Sequence, residues 1–388
     1  MNYILYARQV APNLHPQFDD GCFGGCSVFP SFPNKLLNAG MVLHKRDKNA
    51  AIHTFEPVMV NPESADEAIA KSGADAIVFP VVENFEWQMI KTLYLAQKNN
   101  MKAICVAPTD AYGKYLEANY PGLEYLPVPL QTEDSIPEIS LMSPFGYAFH
   151  CYIPNYQIGT GCPYKCNFCV WPKQIQAMKQ PRVAVQDLSL IDRYCCDLPP
   201  YLLCSSLIHD DTWLNGFARE KLAWLPNMTY TTDINPMDIT PDRIANLKVS
   251  GCTKVIIGIE SANNIIRKEI HKVGTIEQVQ EKLDLLKSEN IEIQAGFLYN
   301  LSSEEDAVTE IEFIKRNPNL KVSAGIVKAY IGSELYDNQD DEGWKTIDLN
   351  GNPIVTNRYL DTAIENLKKL SQGLNIPEGE EIKKWHVC

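Results

Sequence analysis

The feature that most constrains the fold is a regular alternation of short apolar runs with helix-period segments across residues 146–340. In the clearest helical segment, residues 275–290, the apolar side chains Ile276, Val279, Leu283 and Leu286 recur on one face. Six apolar runs are predicted strands: 152–158, 201–207, 228–232, 254–259, 292–298 and 321–328. Six strand–helix units in about 190 residues predict an incomplete βα (TIM-type) barrel, with functional residues at the carboxyl ends of its strands.

A second alternating pattern occupies residues 1–126 and predicts an α/β domain of its own. Its predicted strands are 3–7, 51–55, 76–81 and 103–107, and its predicted helices are 33–40, 62–72 and 83–99. This order favours a doubly wound, Rossmann-like parallel sheet with helices on both faces. Residues 127–145 are rich in proline and are predicted to be a linker. The barrel then spans residues 146–340, and residues 341–388 form a short C-terminal extension with one predicted helix, 358–372.

Charge and composition argue against several classes of function. The chain carries a net charge of −13 and has no long run of Lys or Arg, which makes nucleic acid an unlikely partner. Its apolar runs are far shorter than the roughly 18 residues of a membrane span, and its N-terminus lacks the pattern of a secretory signal. We therefore expect a cytoplasmic protein without membrane contact. Disulfides are disfavoured in that reducing compartment, so clusters among the 12 cysteines indicate metal or redox ligands.

One such cluster lies in residues 159–171, directly after the first predicted barrel strand. Cys162, Cys166 and Cys169 fall within eight residues of this segment. Thiolates are soft ligands that suit iron–sulfur centres, and three of them can hold a four-iron cluster with one iron left open. Two alternatives remain: three buried free thiols, or a structural zinc site, which would need a fourth Cys or His that the nearby sequence lacks.

The spacing Cys-x3-Cys-x2-Cys after the first strand, with Phe168 before the last cysteine, resembles the radical S-adenosylmethionine (SAM) superfamily. Further segments resemble motifs of that family in the family's order: IHDDTW at 208–213, GIES at 258–261, GFLYNL at 296–301 and YIGSELY at 330–336. One departure follows the fifth strand, where residues 300–304 read NLSSE instead of the usual glycine and proline turn. We therefore expect the turn after the fifth strand to differ in conformation from the turn found in the family.

The resemblance implies cofactors and chemistry. Cys162, Cys166 and Cys169 would ligate a [4Fe–4S] cluster, and SAM would chelate the open iron through its amino and carboxylate groups. One electron would cleave SAM to methionine and a 5′-deoxyadenosyl radical, which abstracts hydrogen from an unactivated C–H bond. The protein itself would bind, orient and exclude water. An electron donor such as flavodoxin or ferredoxin is the implied partner.

The resemblance also implies which side chains contact SAM. Asp210 and Asp211 lie where the family contacts the SAM ammonium group, with capping of the next helix as the alternative for one of them. Glu260 would contact the ribose hydroxyls, with a structural role at the barrel rim as its alternative. The other expected contacts are Phe168 beside the adenine, Thr232 and Asp233 on the ribose side, and Ser261 and Phe297 within their motifs.

The N-terminal domain resembles, in pattern, the cobalamin-binding domain of the branch that carries the Asp-Asp-x-aromatic motif. That branch's cobalt-ligating motif, Asp-x-His-x-x-Gly, has no counterpart in residues 1–126. The nearest likeness is residues 269–274, where an ordinary helix–turn segment is expected. Cobalamin binding and a degenerate domain for substrate or partner are both left open. Cys22 and Cys26 are expected to be loop thiols and Cys388 a thiol of the terminal tail.

We therefore predict a radical SAM enzyme, with cobalamin-dependent methylation of an unactivated carbon as the leading reaction. The alternatives are a cobalamin-independent cyclisation, rearrangement or dehydrogenation, and a non-catalytic iron–sulfur protein. The substrate, a small molecule or a peptide, is expected between the two main domains, because the short C-terminal segment leaves little room for a recognition module. Fold alone does not identify it.

Overall fold

The computed structural model describes residues 2–6, 39, 42–43, 45–46, 51–55, 69–81, 86–107, 109–130, 133, 155–194, 199–302, 306–327, 329–338, 345–348, 353–356 and 359–374. These residues contain two parallel sheets and two short antiparallel pairs of strands, with covering helices. Most of the predicted linker lies outside them, as do Cys22, Cys26 and Cys388.

The N-terminal sheet has five parallel strands in the order β2-β1-β3-β4-β5. They are β1 (Asn2–Tyr6), β2 (Ala51–Phe55), β3 (Ala76–Pro80), β4 (Lys102–Val106) and β5 (Leu123–Tyr125). Helices α1 (Glu86–Lys98) and α2 (Asp110–Asn119) follow β3 and β4. The strand order reverses between β1 and β3, and doubly wound sheets bind ligands beyond the carboxyl ends of the strands at such a switch point.

Both faces of this sheet are buried, as the apolar run of β3 dictates for a parallel sheet. Ile77 and Phe79 pack on one face with Leu116 of α2. Val78 packs on the opposite face with Ile104 of β4. The alternation of these side chains is the two-residue period of a strand.

The second sheet has six parallel strands. The first is β6 (Asn155–Gln157), after which β7 (Gly159–Thr160) and β8 (Ala177–Met178) form an antiparallel pair. The remaining five are β9 (Tyr201–Leu203), β10 (Tyr230–Asp233), β11 (Cys252–Glu260), β12 (Glu292–Tyr299) and β13 (Lys321–Ile326). Every strand of the six pairs with its neighbour in the chain, so the sheet is the predicted partial barrel.

Helices connect the barrel strands, and five of them, α4 to α8, begin at side-chain caps. Thr240 caps α5 by accepting from the Arg243 backbone N–H at 3.3 Å, with Pro241 at the first helical position, as the Thr-Pro-Asp sequence predicts. Thr275 and Gln278 form a reciprocal capping box on α7. The helices are α3 (Pro181–Tyr194), α4 (Asp211–Trp224), α5 (Pro241–Val249), α6 (Asn264–Glu269), α7 (Ile276–Lys287), α8 (Ala307–Arg316) and α9 (Glu334–Asp337).

The C-terminal segment contributes to the barrel. After the antiparallel strands β14 (Lys345–Asp348) and β15 (Pro353–Thr356), helix α10 spans Leu360–Gly373. Ala363 and Leu370 of α10 are fully buried in the same apolar core as the barrel strands. Gly373 packs so closely that an added Cβ would lie 2.5 Å from Ile311 of α8. The described part of this segment is therefore packed onto the barrel.

The α/β fold class, with a Rossmann-like sheet and a partial barrel, is confirmed. The predicted strand 201–207 is shorter than expected, because β9 ends at Leu203 and the Leu207 backbone N–H instead donates to the Asp233 carbonyl. Sequence patterns also missed β5, β14 and β15, which are only three or four residues long. The predicted bounds of the N-terminal domain, the linker, the barrel and the C-terminal extension stay a prediction.

The two parallel sheets are linked by the residues that follow β13. Ile331 packs against the N-terminal core, and Gly332, at φ +95°, approaches α2 so closely that an added Cβ would lie 3.0 Å from the Cβ of Ala111. Since α2 follows the carboxyl end of β4, the carboxyl ends of strands from both sheets meet at this contact. None of the described helices is long and apolar enough to cross a bilayer.

Candidate functional site

The three cysteines of the cluster lie on the loop between β7 and β8, just beyond the carboxyl end of β6. All three thiols are free and partly exposed. Gly161 opens this loop at φ +73°, and an added Cβ would lie 2.5 Å from the Gln176 Cα. Glycine is therefore needed for the loop to leave β7 beside the returning strand.

The cysteine loop is hydrogen-bonded to the segment between α6 and α7. The Asn167 backbone N–H donates to the Ile270 carbonyl at 3.3 Å, and its side-chain amide donates to the Glu269 carbonyl at 3.2 Å. On the other side, the Leu335 backbone N–H donates to the Asn167 carbonyl at 3.0 Å. These bonds fix the middle of the loop between the connections that follow β11 and β13.

A buried carboxylate, Asp238, fixes the beginning of the loop. It accepts from the Tyr164 hydroxyl at 2.5 Å and from the Ser206 hydroxyl at 2.7 Å, and His209 Nδ1 lies 3.3 Å away. Asp238 belongs to a short 3-10 helix after β10, and Ser206 follows β9. Through this one side chain, the cysteine loop is joined to the ends of two further strands.

An ion pair lies at the carboxyl end of β11. Lys272 Nζ is 3.0 Å from Glu260 Oε1, and these side chains are only 9% and 11% exposed. Glu260 adopts φ +67° at an irregularity in the pairing of β11 with β12. An added Cβ on Gly258 would lie 2.1 Å from Glu260 Oε1 and 3.2 Å from Lys272 Nζ. The small residue thus makes room for the pair inside the barrel.

Burial raises the pKa of all three thiols, to about 12 for Cys169. The positive charge of Lys272 acts in the opposite direction on each of them. For Cys162, hydrogen bonds from the Tyr164 backbone and the Ser205 side chain also lower the pKa. Without a metal the thiols are therefore protonated at neutral pH, so ligation would have to release their protons.

The two carboxylates of the Asp-Asp motif have different partners. Asp210 Oδ1 accepts from the Trp213 backbone N–H at 2.9 Å and caps α4, which is the capping role foreseen for one of the two. Asp211 forms a two-point ion pair with Arg243 at 2.6 and 3.0 Å, and this guanidinium lowers the pKa of Asp211. The Asp211 side chain remains 66% exposed. Contact of either residue with SAM stays a prediction.

The predicted residues of β10 differ in burial. Thr232 is buried, and its hydroxyl donates to the Leu202 carbonyl at 3.0 Å. Asp233 is partly exposed and accepts from the Tyr201 hydroxyl at 2.5 Å. Burial raises the pKa of Asp233 from 3.8 to about 7. Of the two, Asp233 offers the group that could meet a ligand, and its contact with SAM stays a prediction.

The remaining predicted residues divide between the cysteine loop and the barrel core. Phe168 packs against the apolar cluster that follows β13, together with Val327 and Leu335. Ser261 donates to Glu310 Oε1 at 2.8 Å and thereby fixes the turn after β11. Phe297 is fully buried with its ring against Phe313. Phe168 thus belongs to the cysteine loop itself, whereas Ser261 and Phe297 support the barrel, and the roles of these residues and of Glu260 toward SAM stay predictions.

Sequence reasoning missed Asp238, Arg243 and Lys272. Lys272 falls in residues 269–274, where the expected end of a helix and turn are found, and this turn also contacts the cysteine loop. No local pattern marks Asp238, because its partner Tyr164 is 74 positions away in the chain. The signal that could have indicated these three residues is the position of a charged side chain shortly after a predicted barrel strand.

The residues of the loop fit an iron–sulfur cluster. The donor set consists of three soft thiols, the ligand type of such clusters. The buried cation Lys272 belongs to the segment that is hydrogen-bonded to the loop, and the Asn167 Oδ1 atom is buried without a hydrogen-bond partner among the described residues. No group of three or more His, Cys, Asp or Glu among the described residues converges on one metal ion. A cubane does not require convergence, since each cysteine binds a different iron.

Residues 156–314 match the family model of the radical SAM superfamily. This part of the chain is therefore a radical SAM domain, and the resemblance inferred from its motifs is confirmed. The match begins in β6 and ends within α8, so it contains the cysteine loop, Asp238, Glu260 and Lys272.

A similar protein of known activity is bacteriochlorophyllide d C-8(2)-methyltransferase of Chlorobaculum tepidum, 26% identical over 215 residues. The match covers 50% of this chain and 46% of that enzyme, so the chain spans less than half the length of this relative.

Two solved structures have a similar fold over most of the chain. TsrM from Kitasatospora setae, a radical SAM methyltransferase with cobalamin and a [4Fe–4S] cluster bound, superposes with a TM-score of 0.68 at 10% identity, covering 89% of this chain and 79% of TsrM. The cobalamin-dependent radical SAM enzyme OxsB, with aqua-cobalamin and SAM bound, gives a TM-score of 0.66 at 13% identity and covers 95% of this chain and 66% of OxsB. At these identities the likeness concerns the fold.

We predict that Asp238→Ala destabilises the barrel. The Tyr164 and Ser206 hydroxyls lose their acceptor, and bonds to a buried charged group contribute about 1.5–3 kcal/mol each. We therefore expect the free energy of unfolding, measured with urea, to fall by about 2–4 kcal/mol. The control is Asp242→Ala, an exposed carboxylate in the first turn of α5, which should cost about 0.5–1 kcal/mol. Equal losses in the two variants would contradict the role of Asp238.

A second prediction concerns Asp233 and pH. Its folded-state pKa is raised, so the folded protein binds this proton more tightly than the unfolded chain, and stability is lost as pH rises from about 4 to about 7. The facing groups Tyr201 and Cys204 do not titrate in this window, because burial raises the pKa of both. Relative to the parent, Asp233→Asn should therefore gain more stability at pH 8 than at pH 5 in urea unfolding. The same difference at both pH values would argue against the raised pKa.

Proposed function

We propose that this chain is a radical SAM enzyme that uses cobalamin to methylate an unactivated carbon of a small molecule or a peptide. The observation that carries the proposal is the loop of Cys162, Cys166 and Cys169 at the carboxyl end of β6, inside a domain that matches the radical SAM superfamily. Catalytic groups of βα barrels lie at this end of the strands.

In this proposal the three thiolates hold a [4Fe–4S] cluster, and Glu260 and Phe168 lie on the side of the loop where SAM would bind. When bound, the cluster supplies the electron that cleaves SAM reductively. The chain's own residues keep the loop rigid through Asn167 and Asp238, so that ligands stay in place as the charge of the site changes. Rigid positioning of this kind is the main contribution of a protein to cofactor chemistry.

The N-terminal sheet supports cobalamin as the second cofactor. Its order, β2-β1-β3-β4-β5, provides a switch point between β1 and β3, where doubly wound sheets bind large cofactors. Ile331 and Gly332 bring the carboxyl end of β13 against α2, so a cofactor beyond the N-terminal sheet would face the barrel opening. TsrM and OxsB, which have this fold, are cobalamin-binding enzymes. Residues 1–126 contain no Asp-x-His-x-x-Gly motif, so no histidine of that motif would hold the cofactor.

The same arrangement favours a substrate held between the two sheets.

The second candidate reaction is a cobalamin-independent rearrangement, cyclisation or dehydrogenation, which needs only the barrel. A non-catalytic iron–sulfur protein is disfavoured, because a scaffold has no need of an ordered set of segments that resemble the SAM-binding motifs of the family. We further propose an electron donor of the flavodoxin or ferredoxin type as partner and the reducing cytoplasm as location, since the site requires free thiols.

Replacing Cys162, Cys166 or Cys169 by alanine tests the cluster assignment. Each variant should lose the iron and sulfide of the reconstituted protein and at least about 100-fold in reductive SAM cleavage, since the electron would have no route to SAM. The measurements are iron content, the electron paramagnetic resonance of the reduced protein and the yield of 5′-deoxyadenosine. The matched control is Cys252→Ala, a buried free thiol in the barrel core, which should keep its iron. Retained SAM cleavage in the three variants would overturn the site.

A further inference from the structure

The buried ion pair between Lys272 and Glu260 calls for a physical reason. Both side chains are about nine-tenths buried, and Lys272 Nζ lies 3.0 Å from Glu260 Oε1. Removing two charges from water costs about as much as their attraction returns, so such a pair is weak evidence for a purely stabilising role. A buried charge that is retained at this cost indicates that it interacts with neighbouring groups.

The backbone around Lys272 is held against the cysteine loop. The Lys272 backbone N–H donates to the Arg267 carbonyl at 2.7 Å, and Asn167 bonds to the carbonyls of Glu269 and Ile270. Arg267 is fully buried and donates to four carbonyls, those of Ile259, Ser261, Val273 and Gly274. The segment that carries Lys272 is therefore rigid, and its position relative to the three cysteines is fixed.

Both charges lie near the cysteine loop: Lys272 is two residues beyond Ile270, whose carbonyl accepts from the Asn167 backbone N–H, and Glu260 Oε1 is 3.0 Å from Lys272 Nζ. Lys272 opposes the rise that burial causes in the pKa of Cys162, Cys166 and Cys169. The pair is neutral as a whole, but its two charges act in opposite directions on the Cys166 thiol.

We propose that Lys272 and Glu260 set the reduction potential of the cluster held by the cysteine loop, with Lys272 raising it and Glu260 lowering it. The inference rests on the proposed function, which places a cluster there. The reaction is the gain of one electron from an external low-potential reductant, with no bond formed or broken. That electron makes an anionic cluster more negative, and a buried cation favours the product while a buried anion disfavours it. Lys272 is thus a positioning residue that acts through the charge of the cluster.

The test is a potentiometric titration of the reconstituted protein without SAM, followed by electron paramagnetic resonance. Lys272→Met should reduce the equilibrium constant for cluster reduction by about tenfold or more, which is a shift of about 59 mV to lower potential. Glu260→Gln should shift the potential in the opposite direction. Lys272→Arg keeps the charge and should stay near the parent. The matched control is Lys268→Met on α6, an exposed lysine whose charge is screened by solvent.

Opposite shifts in Lys272→Met and Glu260→Gln support the inference, because a general loosening of the site would move both variants in one direction. Unchanged potentials, or shifts of the same sign, would overturn it while leaving the proposed function standing. Should Lys272→Met fail to hold a cluster, Glu260→Gln decides alone and must shift the potential upward. A parent protein that takes up no cluster would overturn the proposed function itself, and this inference with it.

Discussion

The candidate site depends on the hydrogen bonds that hold a loop without regular structure at the open end of the barrel. Asn167 joins the middle of the cysteine loop to the segments after β11 and β13, and Tyr164 joins its beginning to Asp238 after β10. Three cysteines on a free loop would lose much conformational entropy on binding a cluster. Here that loss is largely incurred when the barrel folds, because the bonds of Asn167 and Tyr164 already hold the loop.

The charges near the loop follow from the same architecture. Near the carboxyl end of β11, Gly258 lacks a side chain and so leaves space for Glu260 and Lys272. The positive φ of Glu260 turns the strand at this point. A chain that is strongly acidic as a whole therefore presents a buried cation beside its thiols. Net charge therefore does not describe the electrostatics of this site.

Much of the fold could be predicted from local patterns. The buried strand β3 is a continuous apolar run, and the caps at Thr240 and Thr275 are recognisable from sequence. The cysteines were identified by their spacing, because consecutive ligands on one loop form a local signal. Asp238 and Lys272 were not, since their roles arise from contacts between distant parts of the chain. Asp210 illustrates the same limit: a carboxylate at a helix start is compatible with capping and with ligand binding, and its capping bond is visible only in three dimensions.

The central claim is that the cysteine loop and the N-terminal sheet serve one reaction, reductive cleavage of SAM coupled to methyl transfer through cobalamin. The most direct measurement is anaerobic turnover of the reconstituted protein with SAM and a low-potential reductant, with and without added cobalamin. We predict 5′-deoxyadenosine in both samples and S-adenosylhomocysteine only when cobalamin is present. Deoxyadenosine alone under both conditions would contradict the role of cobalamin, and the absence of both products would contradict the radical SAM chemistry.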